Sequence, residues 1–301
     1  MNRDASWLKT SQGEPRGYIQ PQSLKELWFH TGTTCNLRCP FCFEGSFPGN
    51  HRLQSIRLED AIPFMDEALN LGVEQFSFTG GEPFMVKDMV AILDYALNLK
   101  PCLVLSNATN PLWGRLKEIL PLRNKPHALS FRVSLDFPDP ARHDAGRGEG
   151  SFFKSLQTMG ELYRQGFRVS IARQHQEGEN TQALNAAYRP YLEQAGLPDS
   201  TLIVSFPELH LPDSSPEVPE ITENCMRTYK TRPQREAFMC SFSKMIVKKD
   251  DQMQVYACTL VDDDPDYVMG ASLSEAMPEK VMLRHHRCFG CFKSGTSCSE
   301  L

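Results

Sequence analysis

The alternation of strand-like and helix-like segments over residues 27–206 constrains the fold of this chain most strongly. Runs rich in β-branched and aromatic residues predict strands, and amphipathic segments with helix start and stop signals separate them. The predicted strands are residues 27–31, 73–79, 102–107, 129–136, 167–174 and 201–206. The predicted helices are residues 57–72, 88–100, 111–120, 151–166 and 180–196. These repeats imply an α/β fold in which a parallel sheet curves into a partial (β/α)6 barrel.

Polar and glycine-rich segments follow the predicted strands. A loop with three cysteines follows the first strand, "TGGEP" the second, "SNATN" the third, "SLD" the fourth and "RQ" the fifth. In parallel α/β sheets the chemistry lies at the carboxyl ends of the strands. The sequence therefore predicts an active site at this edge of the sheet.

The loop after the first strand, "TGTTCNLRCPFC", contains Cys35, Cys39 and Cys42. Three thiolates at this spacing can converge on one inorganic centre, and sulfur suits zinc or an iron–sulfur cluster. A structural zinc site would need a fourth ligand nearby, for which His30 and His51 are weak candidates. Three ligands would leave one iron of a [4Fe–4S] cluster open. The spacing favours iron–sulfur over zinc without deciding between them.

A second group of cysteines follows the Pro-rich segment 206–220. "CSFSKMIVKKDDQMQVYAC" predicts a β-hairpin with "KDDQ" as its turn, Cys240 before the first strand and Cys258 after the second. Cys288 and Cys291 follow in "CFGC". This set is compatible with a zinc ribbon as well as with an iron–sulfur cluster. Cys102, in an apolar run, is interpreted as a buried strand residue.

Composition excludes several classes of protein. With 41% hydrophobic residues and a net charge of −5, the chain is typical of a globular protein without the basic surface of a nucleic-acid-binding protein. No apolar run reaches the roughly 18 residues that cross a membrane. The first 22 residues lack a signal-peptide core, so we expect a cytoplasmic protein. Cytoplasmic thiols stay reduced, so the ten cysteines indicate metal sites rather than disulfides.

"CNLRCPFC" followed by "TGGEP" resembles the radical S-adenosylmethionine (SAM) enzymes, over about residues 24–210. The resemblance implies that Cys35, Cys39 and Cys42 hold a [4Fe–4S] cluster whose open iron binds SAM. Reductive cleavage of SAM would give a 5′-deoxyadenosyl radical, which removes a hydrogen atom from the substrate. The electron would come from a donor such as flavodoxin or ferredoxin.

The same resemblance implies a set of cofactor-binding residues. Backbone carbonyls around Gly80–Glu82 would accept hydrogen bonds from the SAM ammonium group, Ser134 and Arg147 would bind its carboxylate, and Asn107 would face its ribose. The whole set comprises Phe41, Thr79, Gly80, Gly81, Glu82, Pro83, Asn107, Ser134, Arg147 and Arg173. No catalytic acid or base is assigned.

The C-terminal segment resembles the SPASM domains of radical SAM enzymes, or their shortened twitch form. The resemblance implies a small β-hairpin/helix domain whose second [4Fe–4S] cluster is held by Cys240, Cys258, Cys288 and Cys291, with Cys225 and Cys298 in reserve. The expected domains are an N-terminal tail or arm (1–22), the barrel (23–210), a linker (211–237) and the auxiliary cluster domain (238–301).

Three functions remain open at this point. The favoured one is oxidation of a small molecule, with the second cluster as the electron acceptor. The alternative is a peptide-modifying enzyme that forms a crosslink, a thioether or an epimerised residue. Such enzymes often carry a leader-recognition domain, for which too few residues precede the barrel. A non-catalytic iron–sulfur or zinc-binding protein would have no use for "TGGEP".

Overall fold

The computed structural model describes residues 5–175, 178–207, 209–295 and 299. Its strands are β1 (Tyr18–Ile19), β2 (Glu26–His30), β3 (Gln75–Thr79), β4 (Cys102–Ser106), β5 (Leu129–Ser134), β6 (Arg168–Gln174), β7 (Ile203–Phe206), β8 (Ser243–Lys249), β9 (Gln252–Tyr256), β10 (Val268–Gly270) and β11 (Val281–Met282). Its helices are α1 (Ala5–Leu8), α2 (Leu58–Asn70), α3 (Met89–Ala96), α4 (Asn110–Gly114), α5 (Leu116–Ile119), α6 (Pro140–Arg147), α7 (Ser151–Arg164), α8 (Thr181–Ala187), α9 (Arg189–Gln194), α10 (Glu223–Tyr229), α11 (Arg232–Glu236), α12 (Met239–Phe242), α13 (Leu273–Ala276) and α14 (His286–Ser294).

The main sheet has nine strands in the order β10-β9-β8-β2-β3-β4-β5-β6-β7. From β2 to β7 the strands pair in parallel and in chain order. The order ends at β10 and β7, so the sheet is open rather than a closed barrel. The prediction of an α/β fold with a partial (β/α)6 barrel is therefore confirmed.

Burial explains why these segments form a central parallel sheet. Every residue of β2 and β3 is buried, as expected of strands that are covered on both faces. Helix α2 buries Ala61, Met65 and Ala68 at helical spacing, so it covers the sheet with one face. Within the sheet, the stacked rings of Phe29 and Phe78 have centroids 5.5 Å apart.

The predicted C-terminal hairpin forms, and it extends the barrel sheet. Strand β8 pairs in parallel with β2 and antiparallel with β9. Its turn residues Asp250 and Asp251 have φ angles of 51° and 57°, the left-handed conformation that a tight hairpin turn needs at both positions. Asp251 is held by Gln54, whose side chain accepts from the Asp251 amide at 2.7 Å and donates to its carboxylate at 2.9 Å. A side chain of the barrel thus supports a turn that lacks glycine.

The segments outside the barrel pack against each other. Strand β1 pairs antiparallel with β11, and Trp7 packs edge-on against Tyr267 with centroids 4.9 Å apart. The described part of residues 1–22 is thus an arm that lies on the C-terminal part of the chain. The segment 211–237, interpreted as a linker, contains the short helices α10 and α11.

Two predicted helices are divided in the structure. The segment 111–120 forms α4 and α5, and the segment 180–196 forms α8 and α9. In the second case Pro190 lies at the start of α9, because proline has no N–H to continue the preceding helix. Among the described residues, the helices are all too short or too polar to cross a bilayer.

Candidate active site

A cleft lies where the loops that follow β2 to β7 come together. Of the residues that the sequence singled out, those that line the cleft are Cys35, Cys39, Phe41, Cys42, Thr79, Gly80, Gly81, Asn107, Ser134, Arg147 and Arg173. Glu82 and Pro83 do not line it and are buried.

The three cysteines of the first group are buried or half-buried, and backbone amides point at two of their sulfur atoms. The amide of Leu37 donates to Cys35 Sγ and that of Ser46 to Cys42 Sγ, both at 3.4 Å. Burial raises the pKa of the Cys35 thiol to about 12, so the free thiol is neutral at neutral pH. A bound metal centre would supply the positive charge that ionises these thiols, and the amides would stabilise the sulfur ligands. The residues therefore fit a thiolate-bound metal centre.

A compact group of potential metal ligands lies elsewhere in the chain. Within the described parts of the chain, His30, Glu44 and Asp262 are the one group of three potential ligands whose atoms lie within 4.8 Å of one another.

The "TGGEP" segment docks onto the loop that carries the cysteines. The Gly81 amide donates to the Gly32 carbonyl at 2.8 Å, and the Glu82 amide donates to the Thr34 carbonyl at 3.1 Å. A Cβ on Gly80 (φ 139°) would lie 2.7 Å from the Gly32 carbonyl oxygen, and a Cβ on Gly81 would collide with that of Thr34. Both glycines are therefore required by this backbone contact, in addition to any approach of a ligand.

The Glu82 side chain lies beneath the cleft and organises the loop after β4. Its carboxylate accepts from the Phe84 amide at 3.2 Å, the Ser106 hydroxyl at 2.9 Å and the Asn107 amide at 2.9 Å. Asn107 in turn points its side-chain amide at Cys35 Sγ, 3.8 Å away. Glu82 thus acts on the first cysteine through Asn107.

Arg147 is held at the edge of the cysteine loop by Asp136. Its Nε and Nη2 atoms donate to the two carboxylate oxygens of Asp136, and its guanidinium lies 5.7 Å from the centre of the Phe41 ring. Burial raises the pKa of Cys39, while the charge of Arg147 lowers it. Sequence reasoning missed Asp136 as a partner, although the "SLD" segment that contains it was placed at the cleft.

Arg173 lines the cleft, but its guanidinium is occupied. Nη1 and Nη2 bind the Glu179 carboxylate, and Nε donates to Asn185 Oδ1 at 2.9 Å. Arg173 therefore presents an ion pair to the cleft rather than an unneutralised positive charge. Its role in binding a cofactor or substrate stays a prediction.

The second cysteine group lies in the C-terminal part of the chain. Burial raises the pKa of Cys240 well above its ordinary value, and the nearby Cys258 and Cys288 raise it further. Cys291 lies one turn beyond Cys288 on α14. The Leu260 amide donates to Cys258 Sγ at 3.5 Å. The Tyr267 hydroxyl lies 3.8 Å from Cys288 Sγ but donates its proton to the Met282 carbonyl at 2.7 Å. The amide at Cys258 fits a thiolate ligand.

The remaining cysteines have different surroundings. Cys102 is buried in β4, as predicted. Cys225 lies near the start of α10, where its Sγ accepts from the Thr222 hydroxyl at 3.2 Å. Cys298, named as a reserve ligand, lies outside the described residues.

Comparison with known proteins places the barrel in a family. The model of the radical SAM superfamily matches residues 29–184, which include the first cysteine group and "TGGEP". The chain belongs to the radical SAM superfamily. Membership implies SAM and one [4Fe–4S] cluster as cofactors. The match ends before the second cysteine group.

Curated relatives of this radical SAM protein include two bacterial GTP 3′,8-cyclases. The protein from Tolumonas auensis is 27% identical over 134 residues, which are 44% of this chain and 39% of that protein. The protein from Photorhabdus laumondii is 30% identical over 138 residues, which are 44% of this chain and 40% of that protein. The chain thus matches only about two fifths of the length of these relatives.

Solved structures of other proteins share the fold. Streptococcus suis SuiB aligns with a TM-score of 0.63 at 11% identity, over 85% of this chain and 66% of SuiB. The enzyme anSMEcpe with bound AdoMet aligns with a TM-score of 0.56 at 16% identity, over 84% of this chain and 81% of that protein. At these identities the similarity establishes the fold alone.

We predict that Gly81→Ala prevents assembly of the first metal site. The added Cβ would collide with the Thr34 carbonyl, so the "TGGEP" segment and the cysteine loop must separate. We expect a loss of about 1–3 kcal/mol in the free energy of unfolding of the iron-free protein, and loss of the iron bound by the first group. Gly114→Ala is the control, because a Cβ there meets open space. Equal iron content in both variants would contradict the proposed contact.

We also predict that Glu82 makes the stability of the protein depend on pH. Burial raises the pKa of its carboxyl from 4.5 to about 7. Because the folded-state pKa is the higher one, the stabilisation is complete below about pH 4.5 and disappears as the pH rises through about 7. In iron-free protein, the free energy of unfolding of wild type relative to Glu82→Gln should fall by up to about 3 kcal/mol over this range. Urea titrations at several pH values measure it. A difference that stays constant with pH would show that folding does not raise the pKa of Glu82.

Proposed function

We propose that this chain is a radical SAM oxidoreductase that acts on a small molecule and uses two [4Fe–4S] clusters. Cys35, Cys39 and Cys42 would hold the cluster that binds SAM. The second cluster would be held by Cys240, Cys258, Cys288 and Cys291. The observation that carries this proposal is the presence of two separate groups of buried or half-buried cysteines, of which the first opens onto the cleft.

The residues around the first group are suited to bind the methionine end of SAM. The Thr79 carbonyl already accepts from the Thr31 amide and hydroxyl, so the carbonyls of Gly80 and Gly81 are the ones offered to an ammonium group. Asp136 uses Nε and Nη2 of Arg147, which leaves Nη1 for a carboxylate. With the cluster and SAM bound, the site would supply a 5′-deoxyadenosyl radical that removes a hydrogen atom from the substrate.

The second cysteine group supports oxidation as the outcome. Four cysteine ligands leave no iron open to a substrate, so this group is suited to electron transfer. The cluster would accept one electron from the substrate after hydrogen abstraction, while one proton leaves to solvent, so that the substrate loses two hydrogens and two electrons in total. An external donor such as flavodoxin or ferredoxin would supply the electron for SAM cleavage.

Peptide modification is the second candidate. The chain shares its fold with SuiB, which has also been solved bound to the precursor peptide SuiA, with a TM-score of 0.60 to this chain at 12% identity. Fold similarity at this level does not define a substrate. The same two cysteine sites would serve either reaction, and identification of the substrate would choose between them.

We predict that the anaerobically reconstituted protein binds about eight irons and forms 5′-deoxyadenosine from SAM and dithionite. Cys39→Ala should lose about four irons and abolish cleavage, because the first group alone leaves an iron open. Cys288→Ala should also lose about four irons but should still form 5′-deoxyadenosine.

Cys102→Ala is the matched control, because Cys102 is buried but belongs to neither group. It should keep all the iron. SAM cleavage that survives in Cys39→Ala would refute the assignment of Cys35, Cys39 and Cys42 as ligands of the cluster that binds SAM. Wild-type protein that binds about four irons and also zinc would refute the assignment of a second iron–sulfur cluster.

A further inference from the structure

Two loops that follow metal-site cysteines lie side by side. The Cys42 loop is defined here as residues 43–44, and the Cys258 loop as residues 260–263. Both are tied together by two arginines: Arg52 from the barrel, and Arg287 from the start of α14. These residues are far apart in sequence, so the contact joins the barrel to the C-terminal part of the chain.

Arg287 bridges three backbone segments. It is 2% exposed, and its Nη2 donates to the Phe43 carbonyl at 2.9 Å while its Nη1 donates to the Leu260 carbonyl at 3.1 Å. Nε and Nη2 also donate to the His210 carbonyl, at 3.2 and 3.0 Å. A planar guanidinium can make these bonds at once, whereas a lysine ammonium lacks the fork geometry. Arg287 directly precedes Cys288, so one hydrogen bond links the chain at Cys42 to the chain at Cys288.

Arg52 joins the same two loops independently. Its Nη2 donates to the Glu44 carbonyl at 3.2 Å and to Asp262 Oδ2 at 2.6 Å. Its Nη1 donates to the Asp262 carbonyl at 3.3 Å. The loops are therefore held at two points by charge-assisted hydrogen bonds, which are stronger than neutral ones.

The neighbouring His30, Glu44 and Asp262 side chains support this contact rather than a cation. The Gly32 amide donates to His30 Nδ1 at 3.1 Å, so the ring proton lies on Nε2, which donates to Glu44 Oε2 at 2.8 Å. With its proton on Nε2, His30 has no lone pair directed at a metal. The positive charge beside these three side chains comes from Arg52 instead.

We propose that Arg52 and Arg287 are positioning residues that lock the two cysteine sites at one fixed separation. The assignment of the second cysteine group as a cluster site rests on the proposed function. Each arginine binds one loop from each site, so removal of either should let the loops move apart without removing any cysteine. The lock would fix the path between the two clusters and keep the C-terminal part in one position against the cleft.

Hydrogen–deuterium exchange of the iron-free protein tests the lock directly. We expect Arg287→Met to speed exchange by about tenfold or more in peptides that cover both loops, and to leave β3–β5 unchanged. Arg287→Lys, which keeps the charge, should have a smaller effect and serves if Arg287→Met does not fold. Unchanged exchange in the two loops of a folded variant would overturn the lock.

Arg16→Met is the matched control. Arg16 is also buried, and it donates to the carbonyls of Ser6 and Lys9 and to Glu220, away from both cysteine loops. Its loss should speed exchange only in the N-terminal arm and around Glu220. If Arg16→Met loosens the two loops as much as Arg287→Met does, the effect is general instability and the lock is refuted.

A distance measurement in the reconstituted protein tests the functional part. With both clusters reduced, pulsed EPR should give a narrow distribution of inter-cluster distances in wild type and a broader one in Arg287→Met at equal iron content. An unchanged distribution would overturn the positioning role. If wild type binds only one cluster, the proposed function fails, while the exchange experiment still decides whether the lock exists.

Discussion

The pairing of β2 with strands on both of its edges is the constraint on which the rest of the structure depends. One edge pairs with β3, whose end carries "TGGEP", and the other pairs with β8 of the C-terminal hairpin. The cysteine loop at the end of β2 is therefore contacted from two sides. On one side the amides of Gly81 and Glu82 bind its backbone, and on the other side Arg287 does so. A loop of irregular backbone is held in place without regular structure of its own.

Burial of thiols gives both cysteine sites the same physical character. Burial raises the pKa of Cys35 and Cys288 to about 12 each, so neither site is reactive as free thiol. Thiolates at these positions need positive charge nearby, which a metal cluster supplies. Polar donors are already directed at the sulfurs, from Leu37 and Asn107 at the first site and from Leu260 at the second. At both sites, hydrogen-bond donors of the chain are thus directed at the sulfur atoms.

The sequence predicts the barrel well because its signals are local. Continuous apolar runs between helix signals define the six parallel strands, and the cysteine spacing with "TGGEP" predicts the family. Contacts between distant segments leave no such signal. The bond from Arg287 to Phe43 spans 244 residues. The break at Pro190 is the exception, because proline is a local signal. The helical pattern of the 17 residues 180–196 predicted one continuous helix in spite of that proline.

Mössbauer spectroscopy of the protein reconstituted with enriched iron tests the central claim most directly. In the proposed assignment, with three cysteine ligands at the first site and four at the second, one iron among about eight is open. Addition of SAM should therefore shift the signal of about one eighth of the iron and leave the remainder unchanged. A shift of about one quarter would mean that only one cluster is present. A spectrum that does not respond to SAM would contradict the assignment of Cys35, Cys39 and Cys42 as the ligands of a cluster with an open iron.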